Sequence, residues 1–396
     1  MVPPMMEQLL FDDILFGQVA REEHRRFQQL ISYVADEVLD LQDLLEEVLE
    51  DPETRKSIVR DLGKRLRLGR KLTGWLHEQP AGALAETLIA GIPGDTLSGE
   101  LPKFDLFPIP NLFFMRDPQV VLGDRVVVSS MATQARRRES WLSKYVFENH
   151  PRFQHDDGIF WVDFVGDAPE KPTRRGPRLE GGDVLIPRRD LLLIGVTERT
   201  NRLGVEALAA ALQESNAGVK KIIIVEMPKQ RSFMHLDTVF TFISATECLI
   251  YPPVILPGGG QAAKVTTLDL TKKKTQSYTE QKSLMGALKR NGFDLEPIYC
   301  GGSSAVDQQR EQWTDGANAF ALAPGIILLY ERNVKTTEEL ASHGYNIVYE
   351  DDLLLGRTEL ETWTDKKYAL LIAGHELSRA RGGPRCMTMP LEREEI

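Results

Sequence analysis

The chain has 396 residues, 42% hydrophobic and 27% charged, enough for one large domain or two to three smaller ones around a sizeable core. A formal charge of −10 leaves no basic face of the kind nucleic-acid binders use, so no nucleic-acid partner is expected. Cys248, Cys300 and Cys386 are too few and too far apart for a disulfide framework or a CxxC pair; with no secretion-type N-terminus and no apolar run near ~18 residues, a cytoplasmic protein that meets no membrane is predicted.

From residue 8 to residue 92, apolar residues recur at helical spacing with charges between them: Leu9-Leu10-Phe11, Ile14-Leu15, Phe27, Leu30-Ile31, Val34, Val38-Leu39, Leu44-Leu45 and Val48-Leu49. Asp51-Pro52 interrupts the run and Leu84–Ile89 resumes it, so four or five helices are predicted. Packing alone accounts for this stretch.

After Pro108 the pattern changes to short strands alternating with helices. Arg116-Asp117-Pro118 leads into two strands about Gly123-Asp124 and a helix near Ala135–Glu139. Gly182-Asp183 leads into two strands about Arg189-Asp190 and the helix Val205–Leu212. Gly316-Ala317-Asn318 leads into two strands about Pro324-Gly325 and the helix Glu338–His343. His235-Leu236-Asp237 opens a fourth hairpin that closes through Cys248–Tyr251. Units of this kind arranged about an axis bring their polar starts together, so Asp117, Asp183, His235, Asp237 and Asn318 are expected at one centre. Cys386 follows Arg381 and Arg385 behind Gly382-Gly383, a setting expected to stabilise a thiolate and make it the nucleophile. Acids, one histidine and a thiolate together suit a cationic, electrophilic substrate. Cys248 and Cys300 read as buried hydrophobes, and Arg137 and Arg138 as a solvated helix face.

Several motifs then match a known pattern: Pro110-Asn111-Leu112-Phe113-Phe114-Met115-Arg116-Asp117-Pro118, Leu179-Glu180-Gly181-Gly182-Asp183-Val184, Met234-His235-Leu236-Asp237-Thr238, Arg310-Glu311-Gln312-Trp313, Glu331-Arg332-Asn333 and the segment Gly374–Cys386 with Met387-Thr388-Met389-Pro390-Leu391. In these the sequence resembles the bacterial arginine deiminase family of the guanidine-modifying superfamily, from about Leu9 to the C-terminus. The resemblance implies a five-fold pseudosymmetric α/β propeller of ββαβ-type units, with residues 1–17 and 93–396 forming the catalytic domain and 18–92 an inserted helical bundle. It implies hydrolysis of L-arginine to L-citrulline and ammonia through a covalent cysteine intermediate, with no cofactor and no metal. It implies Cys386 as nucleophile, His235 as acid and base, and Asp117, Asp237 and Glu180 around the guanidinium. Arg199 and Arg381 are implied at the substrate carboxylate, with Arg136 and Asn111 assisting and Phe114 packing on the substrate. A homo-dimer or tetramer is expected. An amidinotransferase, a deiminase of another guanidino compound, and a non-catalytic arginine-binding relative are the competing readings.

The sequence also departs from that family. A strand expected upstream of Leu9 is not present, so an open sheet edge is expected beside the nucleophile segment. The stretch Asp351–Ala369, with Trp363, reads as an insertion that covers the site or an interface. Ala380 stands where a glycine is expected and crowds the pocket slightly.

Overall fold

The computed structural model describes residues 3–94, 104–156, 158–166, 176–271, 277–362 and 364–394. Between residues 17 and 90 the chain forms the helices Gly17–Ile31, Leu41–Glu50, Pro52–Leu66, Arg70–Glu78 and Ala81–Ala90. Local chemistry sets their ends. The Asp40 carboxylate accepts from the Gln42 amide at 2.8 Å and Asp51 from the Thr54 amide at 2.7 Å, each satisfying a first-turn N–H that has no partner inside the helix. Pro52, with no N–H to leave unpaired, opens its helix. Leu45, Leu49, Leu62, Leu84 and Leu88 meet at the centre of this group, and Trp141, Leu142 and Tyr145 from the helix Arg137–Asn149 join the same apolar cluster. The helical region is therefore packed onto the α/β part.

From Gln119 onward a hairpin, a helix and a further strand recur. The strands Gln119–Leu122 and Arg125–Val128 pair antiparallel, and after the helix Arg137–Asn149 the strand Phe160–Asp163 returns parallel to Arg125–Val128. The strands Val184–Arg188 and Leu191–Val196, the helix Arg202–Glu214 and the strand Lys221–Glu226 repeat the arrangement. So do Phe240–Phe242 and Glu247–Ile250, the helix Leu284–Arg290 and the strand Glu296–Tyr299. Leu191–Val196 is buried along its whole length, as a strand covered on both faces must be, which is why it reads Leu-Leu-Leu-Ile-Gly-Val without alternation. The hairpin Lys264–Asp269 with Ser277–Gln281 leaves the third unit and extends the sheet of the second.

The fourth unit differs. Phe320–Ala323 and Ile326–Tyr330 form its hairpin, and the helix Val334–Ser342 follows. The strand after that helix, Tyr345–Tyr349, is not beside the hairpin. Lys367–Ile372 lies between them, parallel to both. The stretch read as an insertion thus delivers the central strand of a four-stranded sheet. Its Leu353 and Leu360 pack with Phe27 and Leu30, and Arg26 of the first long helix bonds Glu350 at 2.8 Å and also Asp351. It fastens a helix to the sheet and does not line the site; Trp363 falls outside the described residues. The architecture is mixed α/β, and among the described residues each sheet is open.

Pro3–Leu9 is helical. Met5, Leu9 and Phe11 pack with Phe114, Tyr330, Cys386 and Met387. Cys386 lies in a turn, not a strand, so the open edge expected beside it does not arise. Side chains from the N-terminal turn fill that side of the core.

Asn201 joins two parts of this framework. Its side-chain oxygen accepts from the Gly204 amide at 2.9 Å and the Arg178 amide at 3.0 Å, and its side-chain nitrogen donates to the Gly176 carbonyl at 2.8 Å. Asn201→Ala is expected to cost ~1–2 kcal/mol, the upper range for a cap. Urea titration should show a lower midpoint at unchanged slope; an unmoved midpoint rules the cap out as a stabilising element.

Candidate active site

Equivalent positions of the four units meet. Asp117 precedes the first hairpin, the turn Gly181–Asp183 precedes the second, Leu236–Thr238 the third and Asn318 the fourth. The turns approach so closely that hydrogen is the largest side chain that fits. A Cβ on Gly181 would lie 2.0 Å from the Arg116 carbonyl oxygen. One on Gly182 would lie 2.7 Å from His235 Cγ and 2.8 Å from Asp117 Oδ1, and one on Gly383 2.6 Å from Asn318 Oδ1.

One small cavity, about 20 Å³, opens among these loops. Cys386, His235, Asp117, Asn111, Phe114, Arg136, Arg199 and Arg381 all line it. That volume holds about one water, so a larger ligand enters only as the lining side chains move apart.

His235 is the electrostatic centre. Its Nε2 lies 2.8 Å from Glu180 Oε2, and its Nδ1 is 3.6 Å from Asp117 Oδ1. Burial on its own favours the neutral ring. Asp117, the bonded Glu180 and Asp183 outweigh it and hold the imidazole protonated, with its pKa driven up to about 10. Glu180 shows the reverse balance: burial disfavours its charge, but the His235 bond and the Arg199 and Arg136 charges keep it below the usual carboxylate range. Its other oxygen accepts from the Ala132 amide at 2.7 Å. Both Glu180 oxygens are thus engaged, and Glu180 does not line the cavity. It orients the imidazole from behind.

Asp183 departs from the expectation. It lies beneath the centre, not at it, accepting from the Leu236 amide and the Thr197 hydroxyl, each at 2.8 Å. Burial pushes its carboxyl up to about 7 against the pull of His235 and these donors. It holds the His235 loop in place. Asn318 is also structural: its oxygen accepts from the Cys386 amide at 3.1 Å and its nitrogen donates to the Asp237 carbonyl at 3.0 Å.

The two remaining acids are each half-occupied. Asp117 Oδ2 pairs with Arg136 Nη1 at 2.5 Å, and Asp237 Oδ2 pairs with Arg385 Nη1. Oδ1 of both is buried without a hydrogen-bond partner. Arg136, not Arg137, reaches the cavity, but its guanidinium is bound on both sides, to Asp117 and to Glu139 at 2.8 Å, with Arg138 also buried. Arg136 is therefore a brace for Asp117 and is not free to bind a carboxylate. By contrast, Nε and Nη1 of Arg199 and of Arg381 are buried without a hydrogen bond, Arg199 Nε having only Glu198 Oε1 at 3.9 Å. Arg381, with a left-handed backbone at φ 65°, stacks its guanidinium 3.5 Å from the centre of the Trp313 ring.

The cysteine environment reverses the sequence-based expectation. Burial pushes the Cys386 thiol well above its ordinary range, and Asp237, Asp117 and Asp315 push it further. The flanking arginines do not offset this, because Arg385 is paired with Asp237 and Arg381 lies over Trp313. Cys386 rests as a thiol. Cys248 and Cys300 are buried, their thiols raised mainly by desolvation, as expected of inert core residues.

Asp117, Glu180 and His235 stand close enough to hold a metal ion, their nearest atoms within 4.8 Å of one another. The donor set suits a cation poorly as it stands. A protonated imidazole has no lone pair to give, and Arg136 already occupies Asp117.

A family model described as arginine deiminase matches residues 7–73 and 97–393. The arginine deiminase of Bacillus cereus strain ATCC 10987 is 33% identical over 417 residues, which take in 100% of this chain and 93% of that protein. The chain belongs to the arginine deiminase family. The arginine deiminase of Streptococcus sanguinis strain SK36 is also 33% identical, across 100% of this chain and 92% of its own. Among solved structures, the product-bound N-terminal domain of an arginine dihydrolase from the cyanobacterial ornithine–ammonia cycle is 18% identical, with 71% of this chain and 77% of that chain covered and a TM-score of 0.43.

Sequence reasoning about this arginine deiminase family member missed Glu139, the second partner of Arg136, and the role of Arg385. It also missed Leu10 and Arg231 in the cavity wall, which are joined by a bond from Arg231 Nη2 to the Leu10 carbonyl at 3.2 Å. Ala380 does line the cavity, as expected. Gly182→Ala forces His235 and Asp117 apart. The variant is expected to keep its circular dichroism spectrum yet lose at least ~100-fold in kcat/KM, the scale set by misplacing reacting groups by about an ångström. Near-native activity would mean that this contact does not fix the imidazole.

Proposed function

We propose that this cavity hydrolyses L-arginine to L-citrulline and ammonia through an amidino-thioether on Cys386. The observation that carries the reading is the pairing of opposite ends: two buried carboxylates, Asp117 and Asp237, each with an oxygen that accepts no hydrogen bond, near a thiol and an imidazolium, and two guanidinium groups, on Arg199 and Arg381, each with buried N–H groups that make no hydrogen bond. A substrate with a flat cation at one end and a carboxylate at the other satisfies both sets. A decarboxylated guanidine would leave the two arginines unpaired, which favours arginine over such substrates.

The chemistry follows from the charges. Asp117 and Asp237 hold the guanidinium, and its positive charge cancels the field that keeps Cys386 protonated. The thiol then loses its proton to solvent, and the thiolate attacks the guanidinium carbon. The imidazolium of His235 gives its proton to the departing nitrogen, and ammonia leaves as the C–N bond breaks. Neutral His235, still held by Glu180, takes a proton from water; the resulting hydroxide attacks the same carbon. Collapse breaks the C–S bond, returns the electron pair to sulfur as thiolate and releases citrulline, whose hydroxyl proton passes to solvent. Glu180 positions the ring throughout.

We further infer that the four units, with the chain around Cys386 and the N-terminal turn closing the remaining side, surround one pseudo-axis as a five-fold propeller. The convergence of Asp117, the Gly181–Asp183 turn, Leu236–Thr238 and Asn318 supports that arrangement. Residues 18–92 are then a helical insertion into it.

Brief exposure of the protein to arginine, followed by acid quench and intact-mass measurement, is expected to show an adduct that Cys386→Ala lacks. A citrulline colour test should be positive for wild type and blank for Cys386→Ala; equal traces from the two leave arginine binding without turnover. Arg381→Lys is expected to raise KM by at least about tenfold, since a lysine lacks the planar fork. An unchanged KM removes Arg381 from the carboxylate role. In the free enzyme, alkylation of Cys386 by iodoacetamide should be slow at neutral pH and still rising above pH 9, because thiolate appears only as pH approaches the raised pKa. A rate that levels off by pH 8 contradicts the thiol resting state.

A further inference from the structure

A second cavity, about 180 Å³, lies against the same loops and shares no lining residue with the first. Consecutive residues are dealt to opposite sides. Asp117 and Cys386 line the first cavity, while their neighbours Arg116 and Arg385 line the second. Arg393 stands at the more exposed rim, and no aspartate or glutamate contributes to the wall.

The charge on that wall is poorly compensated. Arg116 is only 7% exposed, yet its side chain bonds neutral acceptors, the Arg385 carbonyl at 3.2 Å and the Thr388 hydroxyl at 2.9 Å. Burial and the charges of Arg385 and Arg393 push its pKa well below the ordinary arginine range. Arg393 Nη1 has the Val121 carbonyl at 3.4 Å. Gln119, 1% exposed, lines the cavity with both its amide oxygen and its amide nitrogen unpartnered. A buried amide with no hydrogen-bond partner and three guanidinium groups along one wall describe a site suited to an anion. Among the described residues, Arg385 alone of the three has an acidic partner, and that partner is Asp237, which lies between His235 and Thr238 of the first cavity.

We propose that the second cavity binds a small oxyanion of the phosphate class, which draws Arg385 away from Asp237 and so tightens the binding of the guanidinium substrate. The anion offers Arg385 a partner beside Arg116 and Arg393, and Asp237 Oδ2 becomes available to the substrate. Coupling of this kind is reciprocal, so arginine tightens the anion by the same factor. The effect on substrate rests on the role given to Asp237 above; the anion site does not.

Isothermal titration of the full chain with inorganic phosphate, sodium chloride being adjusted to hold ionic strength constant, is expected to give one saturable site. Arg393→Gln and Gln119→Leu should each weaken phosphate about tenfold or more while leaving KM for arginine without phosphate as in wild type. In wild type, saturating phosphate should lower KM severalfold with little change in kcat, and neither variant should respond at that phosphate concentration. Acetate at the same ionic strength should bind far more weakly. Absence of saturable heat, undiminished binding in both variants, or acetate binding equal to phosphate overturns the anion site. Saturable binding with an unmoved KM overturns the coupling through Arg385. The titration needs no turnover, so a chain that binds phosphate but forms no citrulline would count against the reaction alone.

Discussion

Buried negative charge held in place by protein cations is the constraint on which the centre depends. Asp117, Glu180 and Asp237 are each at most 3% exposed and meet within a few side chains of one another. Isolated ionised carboxylates at such depth would shed their charge by taking up protons. Here each has a cation in contact: Arg136 for Asp117, the His235 imidazolium for Glu180 and Arg385 for Asp237. Glu180 stays below the usual carboxylate range beside the imidazolium, burial raises Asp237 despite Arg385, and Asp183, with hydroxyl and amide donors but no contacting cation, is driven up to about 7. The contrast between Glu180 and Asp183 shows contacting charge acting together with burial to set the protonation state.

The same balance explains why Cys386 rests protonated. A centre built to attract a guanidinium must carry surplus negative field while that guanidinium is absent, and the field falls directly on Cys386. A thiolate held ready in the free enzyme would need positive charge beside it, and that charge would repel the substrate. In the proposed reaction the substrate itself brings the charge. Arg136 and Arg385 occupy one oxygen of each acid in its absence, which limits the electrostatic cost without filling the site.

Much of this was legible in the chain. Hairpins announced by Gly123-Asp124, Arg189-Asp190 and Pro324-Gly325 appear at those residues, because turn chemistry is local. The convergence of Asp117, His235 and Cys386 followed from the repeat and the motifs. What was not legible depends on which of two neighbours a charged side chain chooses. The sequence sets Arg385 beside Cys386, and proximity along the chain suggested a stabilised thiolate; the turn instead places Arg385 in the wall of the second cavity, where it meets Asp237. Asp183 and Asp117 precede equivalent strands and look alike in sequence, but the Thr197 hydroxyl and the Leu236 amide claim only Asp183. The parallel strand Lys367–Ile372 was hidden for another reason: its partners are set by a long crossover, which no local pattern encodes.

The turn that carries Cys386 deserves weight as a partition as well as a reactive loop. Its backbone is pinned on both faces: the Cys386 amide bonds Asn318, the Cys386 carbonyl accepts from the Arg116 amide at 3.0 Å, and the Tyr330 hydroxyl donates to the Gly382 carbonyl at 2.8 Å. Gly382 and Gly383 admit Phe114 and Asn318 at distances no side chain would allow. Main chain held this firmly cannot shift to accommodate a change in charge, so the response falls to side chains. Arg385 is the side chain placed to make it, since it lines the second cavity and pairs with Asp237, which lies between His235 and Thr238 of the first. A rigid wall with one movable cation spanning it couples the two spaces without any motion of the fold.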